Sequence, residues 1–91
     1  MSKVKKVKLV FEGEQKATHQ GVIKTYNLQY TIEGRHFEVP AFWTTRDGWF
    51  VQTAWLENAL TSYDKTLDMK NCKHRSRVRT ELARKLVDLI K

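Results

Sequence analysis

Basic side chains cluster near the end of the chain, in a pattern suited to binding phosphate. No acidic residue occurs between Asp68 and Glu81. Arginine donates paired hydrogen bonds to phosphate oxygens, and lysine supplies a compact positive charge. Five residues of this segment are therefore predicted to contact the phosphates of a nucleic acid: Lys70, Lys73, Arg75, Arg77 and Arg79.

This cluster lies at or just before the predicted start of the last helix. Positive charge there opposes the helix dipole by about 0.3–1 kcal/mol per charge, whereas free N–H groups at a helix start favour a bound phosphate. Four-residue spacing predicts a weak surface pair between Arg77 and Glu81. The same spacing predicts a pair between Arg84 and Asp88. The remaining cations of the cluster have no such helical partner: Lys70, Lys73, Arg75 and Arg79.

A second group of cations lies at the start of the chain and consists of Lys3, Lys5, Lys6 and Lys8. Two interpretations stay open for it. Lysines on an edge strand protect that strand from pairing with other chains. Alternatively, the lysines form an arm that adds phosphate contacts to those of the first cluster.

Aromatic residues flank a predicted turn in the middle of the chain. Phe42 and Trp43 precede the turn, Trp49 and Phe50 follow it, and Arg46 lies at its tip. Neighbouring strand residues point to opposite faces of a sheet, so one ring of each pair is free to face outward. Three residues are candidates for stacking on unpaired bases, unless helices or a second copy of the chain bury them: Trp43, Arg46 and Trp49.

Signals for metal binding and catalysis are weak. Cys72 and His74 are two residues apart, and the sequence offers no second close pair of ligands for a zinc site. No glycine-rich phosphate loop, nucleophile elbow or pair of catalytic carboxylates is present. We therefore expect a non-enzymatic protein without a metal or cofactor.

Charge is distributed unevenly over the 91 residues, whose net charge is +7. Residues 70–91 contain eight basic and two acidic side chains, whereas residues 9–69 contain five basic and eight acidic ones. An excess of one sign at the two ends indicates an anionic partner. The single cysteine suits the reducing cytoplasm, and no apolar run is long enough to span a membrane. A chain this short also favours self-association.

Alternation of polar and apolar residues predicts four strands. We expect one domain over 1–91, with a basic arm or edge strand at 1–8, a β-meander at 9–53 and a helical part at 54–91. A polar loop is predicted from Glu14 to Gln20, and tight turns at Glu33-Gly34 and at Arg46–Gly48. Pro40 cannot donate to a ladder, which indicates an edge or a bulge at that position.

Helical spacing replaces the alternation after residue 53. Thr53 is the predicted N-cap of a first helix, whose apolar face consists of Trp55, Leu56, Ala59, Leu60 and Tyr63. The apolar stripe of the last helix consists of Val78, Leu82, Leu86, Leu89 and Ile90. Arg79 projects onto that stripe, either with its stem along the core edge or as part of a contact surface. The predicted fold is α+β, a four-stranded antiparallel β-meander followed by two C-terminal helices packed on the sheet.

These patterns favour a small protein that binds DNA or RNA mainly through phosphates, with little sequence specificity. The alternative is a modulator or inhibitor, like the accessory proteins of viruses, that docks its basic end on an acidic surface of a larger protein. The aromatic hairpin would then be its anchor, because tryptophan, tyrosine and arginine dominate binding hot spots.

Overall fold

The order of elements is that of a meander followed by helices. The computed structural model describes residues 3–19 and 21–91. Its strands are β1 (Val4–Ala17), β2 (Gly21–Ile32), β3 (Arg35–Thr44) and β4 (Gly48–Val51). They form one antiparallel sheet in the order β1-β2-β3-β4. A 3-10 helix (Thr53–Ala59) continues into α1 (Leu60–Tyr63), and α2 (Cys72–Ile90) ends the fold. The predicted α+β architecture is confirmed.

A two-residue turn sets the register of the two central strands. Glu33 and Gly34 have φ angles of 50° and 82° and join Ile32 to its direct partner Arg35. Two consecutive positive φ angles are typical of a type I′ turn, whose twist matches that of paired strands. Pairing then continues without interruption to Ile23, as the alternating pattern of β2 predicts.

Strand β1 is longer than its hydrophobic pattern indicates. The loop predicted from Glu14 is wrong at its start, because the strand continues to Ala17 with Glu14 opposite Lys24; Gln20 lies outside the described residues. The alternating run of β2 extends back to Gly21 and supplies ladder partners for this polar stretch. At its other end β1 begins at the buried Val4, so Lys5, Lys6 and Lys8 belong to the strand and not to a free arm.

The hydrophobic core lies between one face of the sheet and the helices. Leu28, Tyr30 and Ile32 of β2 are buried on this face, beside Phe37, Val39 and Ala41 of β3. The helical part contributes Leu56, Ala59, Leu60, Val78, Leu82 and Leu86. Each fully buried aliphatic side chain stabilises the fold by about 1.5–3 kcal/mol. The alternate residues of the strands point to the opposite face of the sheet.

The first helical segment differs from its prediction in type and in cap. Thr53 is not the N-cap; that position is Gln52, whose N–H donates to the Pro40 carbonyl at 2.9 Å and extends the ladder past β4. The helix therefore starts directly from the sheet edge. Its first seven residues are 3-10, where a three-residue repeat aligns Leu56 with Ala59. Trp55, expected on the apolar face, is 61% exposed.

Helix α2 lies against the core through a narrow stripe. Val78, Leu82 and Leu86 are buried, as predicted, while Leu89, expected in the same stripe, is 42% exposed. Val87 and Ile90 continue the contact along one flank. No helix within residues 3–19 and 21–91 has the length and hydropathy to cross a membrane.

Candidate nucleic-acid interface

Arg79 forms a short ion pair with a residue far away in the sequence. Its Nη1 lies 2.6 Å from Oε1 of Glu57 on the 3-10 helix, and its Nη2 donates to the Ser76 hydroxyl at 3.2 Å. Both partners of the ion pair are about two-thirds covered. Arg79 has no carboxylate partner within α2, as predicted, but it has this one on the 3-10 helix, and the contact across the core edge explains its position near the apolar stripe.

Arg75 also contacts Glu57. Its Nε lies 4.0 Å from Oε2 of Glu57, and its Nη1 donates to the Met69 carbonyl at 3.1 Å. One carboxylate thus faces two arginines that are four residues apart on α2, and the contacts tie the start of α2 to the 3-10 helix. The expectation that Arg75 is free for phosphate is not supported by this geometry.

The first turn of α2 has its own polar partners. The Asn71 side chain accepts the His74 N–H at 3.1 Å and caps the helix. His74 Nε2 lies 3.7 Å from Asp64 Oδ2. Hydrogen bonds from the Thr66 hydroxyl and N–H lower the pKa of Asp64, so its carboxylate stays charged beside the helix start. The cap occupies one of the N–H groups at the helix start, and the neighbouring carboxylate makes this end less suited to phosphate than expected.

The solvent face of α2 carries cations of a different kind. At 100° per residue, Lys73, Arg77 and Arg84 project within about 40° of one another, and the C-cap Lys91 continues their line. We call these four residues the α2 basic row. Lys73, Arg77, Arg84 and Lys91 are all exposed, as is Lys70 just before the helix.

The members of the α2 basic row have few acidic partners. Neither predicted helical pair forms: in the described part of the chain no ion pair joins Arg77 to Glu81 or Arg84 to Asp88. Lys91 lies 3.8 Å from Asp88, and both side chains are largely exposed, so this contact is weak. The row therefore keeps most of its positive charge available to an outside anion.

The N-terminal lysines do not join this surface. Lys3 Nζ donates to the Tyr63 carbonyl at 2.9 Å, on the helical side of the molecule. Lys5 and Lys8 pair with Thr31 and Gln29, which alternate with the buried residues of β2, so both lysines lie on the opposite face of the sheet. Lys6, with a φ of 54°, occupies the bulge between them. The sheet separates Lys5 and Lys8 from α2.

The aromatic hairpin remains partly exposed. Trp43 and Trp49 are direct cross-strand partners, and neither belongs to the residues packed against the core. Lys24 lies over the Trp43 ring at 5.2 Å, and Tyr26 lies 5.0 Å from the Trp49 ring. Arg46 is exposed at the tip of the turn. Phe42 and Phe50 stack on the other face, 5.1 Å apart, so the helices do not bury both aromatic pairs.

Potential metal ligands are dispersed. Among the described residues no group of three His, Cys, Asp or Glu side chains is arranged to hold a metal ion. Cys72 is an exposed free thiol, and His74 is directed to Asp64 instead.

Three residues of this surface were missed by sequence reasoning: Glu57, Arg84 and Lys91. Glu57 is 22 residues from Arg79, and no helical spacing connects them. Arg84 was assigned to a pair with Asp88, although the wheel position that it shares with Lys73 and Arg77 could have identified it.

Comparison with models of known protein families, with curated proteins and with solved structures finds no match to this chain.

Proposed function

We propose that this chain is a non-enzymatic protein that binds nucleic acid through phosphate contacts along the solvent face of α2. The observation that carries the proposal is the α2 basic row, whose arginines Arg77 and Arg84 are exposed and have no carboxylate partner among the described residues. The helix dipole gives no structural reason for Lys73, because a cation in the first turn opposes it.

The length of the row suits a phosphate backbone. Lys73 and Arg84 are eleven positions apart in the numbering, which corresponds to about 16 Å along α2 at 1.5 Å per residue. Each strand of duplex DNA presents a phosphate about every 3.4 Å of axis, so the row faces several of them. Such contacts carry no sequence information, and low sequence specificity is expected.

The two flanks of the row differ in charge. Glu81 and Asp88 project on one side, whereas the neutral Ser76 and Thr80 project on the other. Repulsion from the carboxylates favours an approach of the backbone from the neutral flank. Lys70 lies beyond the start of the row and extends the positive surface.

Salt dependence of binding tests the proposal directly. Four phosphate contacts on duplex DNA predict that log K falls against log salt with a slope of about −3 to −4. The double variant Arg77→Gln/Arg84→Gln should make the slope shallower by about 2. The matched control is Lys16→Gln/Lys65→Gln, which removes the same charge from exposed sites outside α2 and should leave the slope nearly unchanged.

Two outcomes would contradict the proposal. One is the absence of salt-sensitive affinity of the unmodified protein for DNA or RNA at about 50 mM salt. The other is an equally large change of the salt slope in the control variant Lys16→Gln/Lys65→Gln. That result would indicate that the nucleic acid is attracted by the net charge alone and not by a defined surface.

A second candidate function, docking on a larger protein, is favoured by the free part of β3. Strand β4 pairs with β3 only from Ala41 to Thr44, so residues 35–39 have no strand on that side within the described chain. Trp55, 61% exposed, borders a groove of about 560 Å³ there together with Asn58 and residues 36–40. An extended peptide can add to such an edge.

Affinity purification with and without nuclease separates the two functions. Recovery of nucleic acid that is lost on nuclease treatment supports the first. A nuclease-resistant protein partner that is released by Trp55→Ala but retained by Arg77→Gln/Arg84→Gln supports the second.

A further inference from the structure

A groove lies between the edge strand β4 and the second half of α2. Its volume is about 330 Å³, which lies at the lower end of the range typical of small-ligand sites. Phe50, Val51, Thr53, Ala83, Arg84, Val87, Asp88 and Lys91 line it. The groove is thus formed where the α2 basic row meets the outer edge of the sheet.

The interior of the groove is apolar, and Phe50 borders it with its side chain on the face of the sheet opposite the core. Val51 is buried at the base, with Ala83 and Val87 of α2 beside it. Phe50 is 41% exposed. Its ring is held by Phe42, 5.1 Å away with an interplanar angle of 23°. A fixed, exposed ring next to an apolar floor is a surface on which a flat heteroaromatic group can stack.

The groove also carries the charges that a nucleotide requires. Arg84 and Lys91 belong to the α2 basic row, and Arg84 has no ion-pair partner among the described residues. Asp88 can accept a hydrogen bond from an N–H group of a base, such as N3–H of thymine. Cations close to an exposed aromatic ring are complementary to phosphates next to a base.

We propose that this groove holds one unpaired base of a single-stranded nucleic acid against Phe50, with the adjacent phosphates on Arg84 and Lys91. The inference rests on the proposed function and specifies its ligand as a single strand. A base within a duplex is stacked on both faces and must be unstacked before it can enter such a site. Single-stranded DNA or RNA therefore binds both the row and the groove, whereas a duplex binds the row alone.

Fluorescence anisotropy with a short labelled oligothymidylate and a short labelled duplex tests the preference. Phe50→Ala should weaken binding of the single strand by about 5- to 100-fold, because each base stacked on an aromatic ring contributes that much, and should leave duplex binding unchanged. Phe50→Tyr retains a ring and should restore the affinity. The matched control is Phe11→Ala, which removes an exposed ring from the other edge strand, β1, and should have no effect.

A second measurement does not depend on the stability of any variant. Photocrosslinking of an oligonucleotide that carries 5-iodouracil to the unmodified protein, followed by mass spectrometry, should locate the crosslink on the peptide that contains Phe50. A crosslink found only elsewhere overturns the proposal.

The remaining outcomes separate this proposal from the function on which it rests. One outcome is that Arg77→Gln/Arg84→Gln makes the salt dependence of duplex binding shallower, while Phe50→Ala weakens the binding of neither the single strand nor the duplex. In that case the groove is not a base site and the proposed function stands. If the unmodified protein binds neither ligand, both fail. Competition by thymidine monophosphate as effective as that by the oligonucleotide would assign the groove to free nucleotides and overturn the single-strand proposal.

Discussion

Two rows of basic side chains on α2 have the same chemistry and different surroundings. Arg75 and Arg79 turn towards the 3-10 helix and share the carboxylate of Glu57. Arg77 and Arg84 are on the solvent face and have no ion-pair partner among the described residues. The two rows differ only in their phase around the helix axis, and this phase decides whether an arginine holds the fold together or is available to a ligand.

Basic residues that cluster in the sequence thus do not form one cluster on the surface. A partner such as Glu57, 22 residues away from Arg79, outweighs any neighbour on the same helix. The pair of Arg79 and Glu57 is about two-thirds covered and hydrogen-bonded, so it is stronger than an exposed pair within one helix, which contributes a few tenths of a kcal/mol. Substitution of Arg75 or Arg79 should therefore change the stability of the fold, whereas substitution of Arg77 or Arg84 should change the binding of a ligand.

The largest effect on stability is expected at the pair of Arg79 and Glu57. Arg79→Gln and Glu57→Gln should each lower the free energy of unfolding by about 1–2 kcal/mol, a value reduced because both side chains remain about one-third exposed. Urea denaturation of the two single variants and the double variant should give a coupling energy of about 1 kcal/mol. Additive losses would show that the two residues do not interact.

Tyr30, unlike Arg79, is buried without a polar partner: its hydroxyl has no hydrogen-bond partner among the described residues. Tyr30→Phe removes that unsatisfied group and should raise the free energy of unfolding by about 1 kcal/mol. Burial raises the pKa of Tyr30 to about 12. The unfolded state therefore loses this proton first, and the unmodified protein should lose stability as the pH rises from about 10 to about 12.

The difference between the unmodified protein and Tyr30→Phe isolates this contribution from other groups that titrate at high pH. Chemical denaturation at several pH values should show the stability gain of Tyr30→Phe increasing above pH 10. A gain that stays constant with pH would mean that the hydroxyl ionises as readily in the folded protein as in the unfolded chain.

Asn71 provides a test at the start of the helix that carries both rows. Asn71→Ala removes the acceptor of the His74 N–H and should lower the free energy of unfolding by about 1 kcal/mol. Asn71→Asp keeps an acceptor and adds a charge that favours the helix dipole, so it should retain full stability or exceed it. Thermal unfolding followed by circular dichroism measures both, and equal midpoints for the two variants would argue against a capping role.

The smallest effect on stability is expected in the exposed row. Arg77→Gln and Arg84→Gln should change the free energy of unfolding by no more than about 0.5 kcal/mol, as is usual for surface positions. The same variants should give the largest change in the salt dependence of binding. A destabilisation comparable with that of Arg79→Gln would remove the distinction between the two rows.

The strands were predictable to the extent that their residues alternate. Tyr26, Leu28, Tyr30 and Ile32 follow a period of two, and their pairing with β3 across Glu33-Gly34 is confirmed. The polar stretch from Glu14 to Ala17 has no such pattern. It is a strand because it pairs with the first residues of β2. Pro40 marks the point where the pairing of β3 with β4 ends, since it lies one residue before the segment of β3 that pairs with β4.

The candidate site was predictable only in its chemistry. The residue types between Lys70 and Arg79 indicated phosphate, and the sequence by itself also determined the α+β class, the turns and the buried stripe of α2, because these follow from the spacing of neighbouring residues. Which arginines are free was decided by the tertiary structure. Glu57 and the edge of β4 reach α2 only after the helices pack on the sheet, and contacts between distant segments leave no periodic signal in a single sequence.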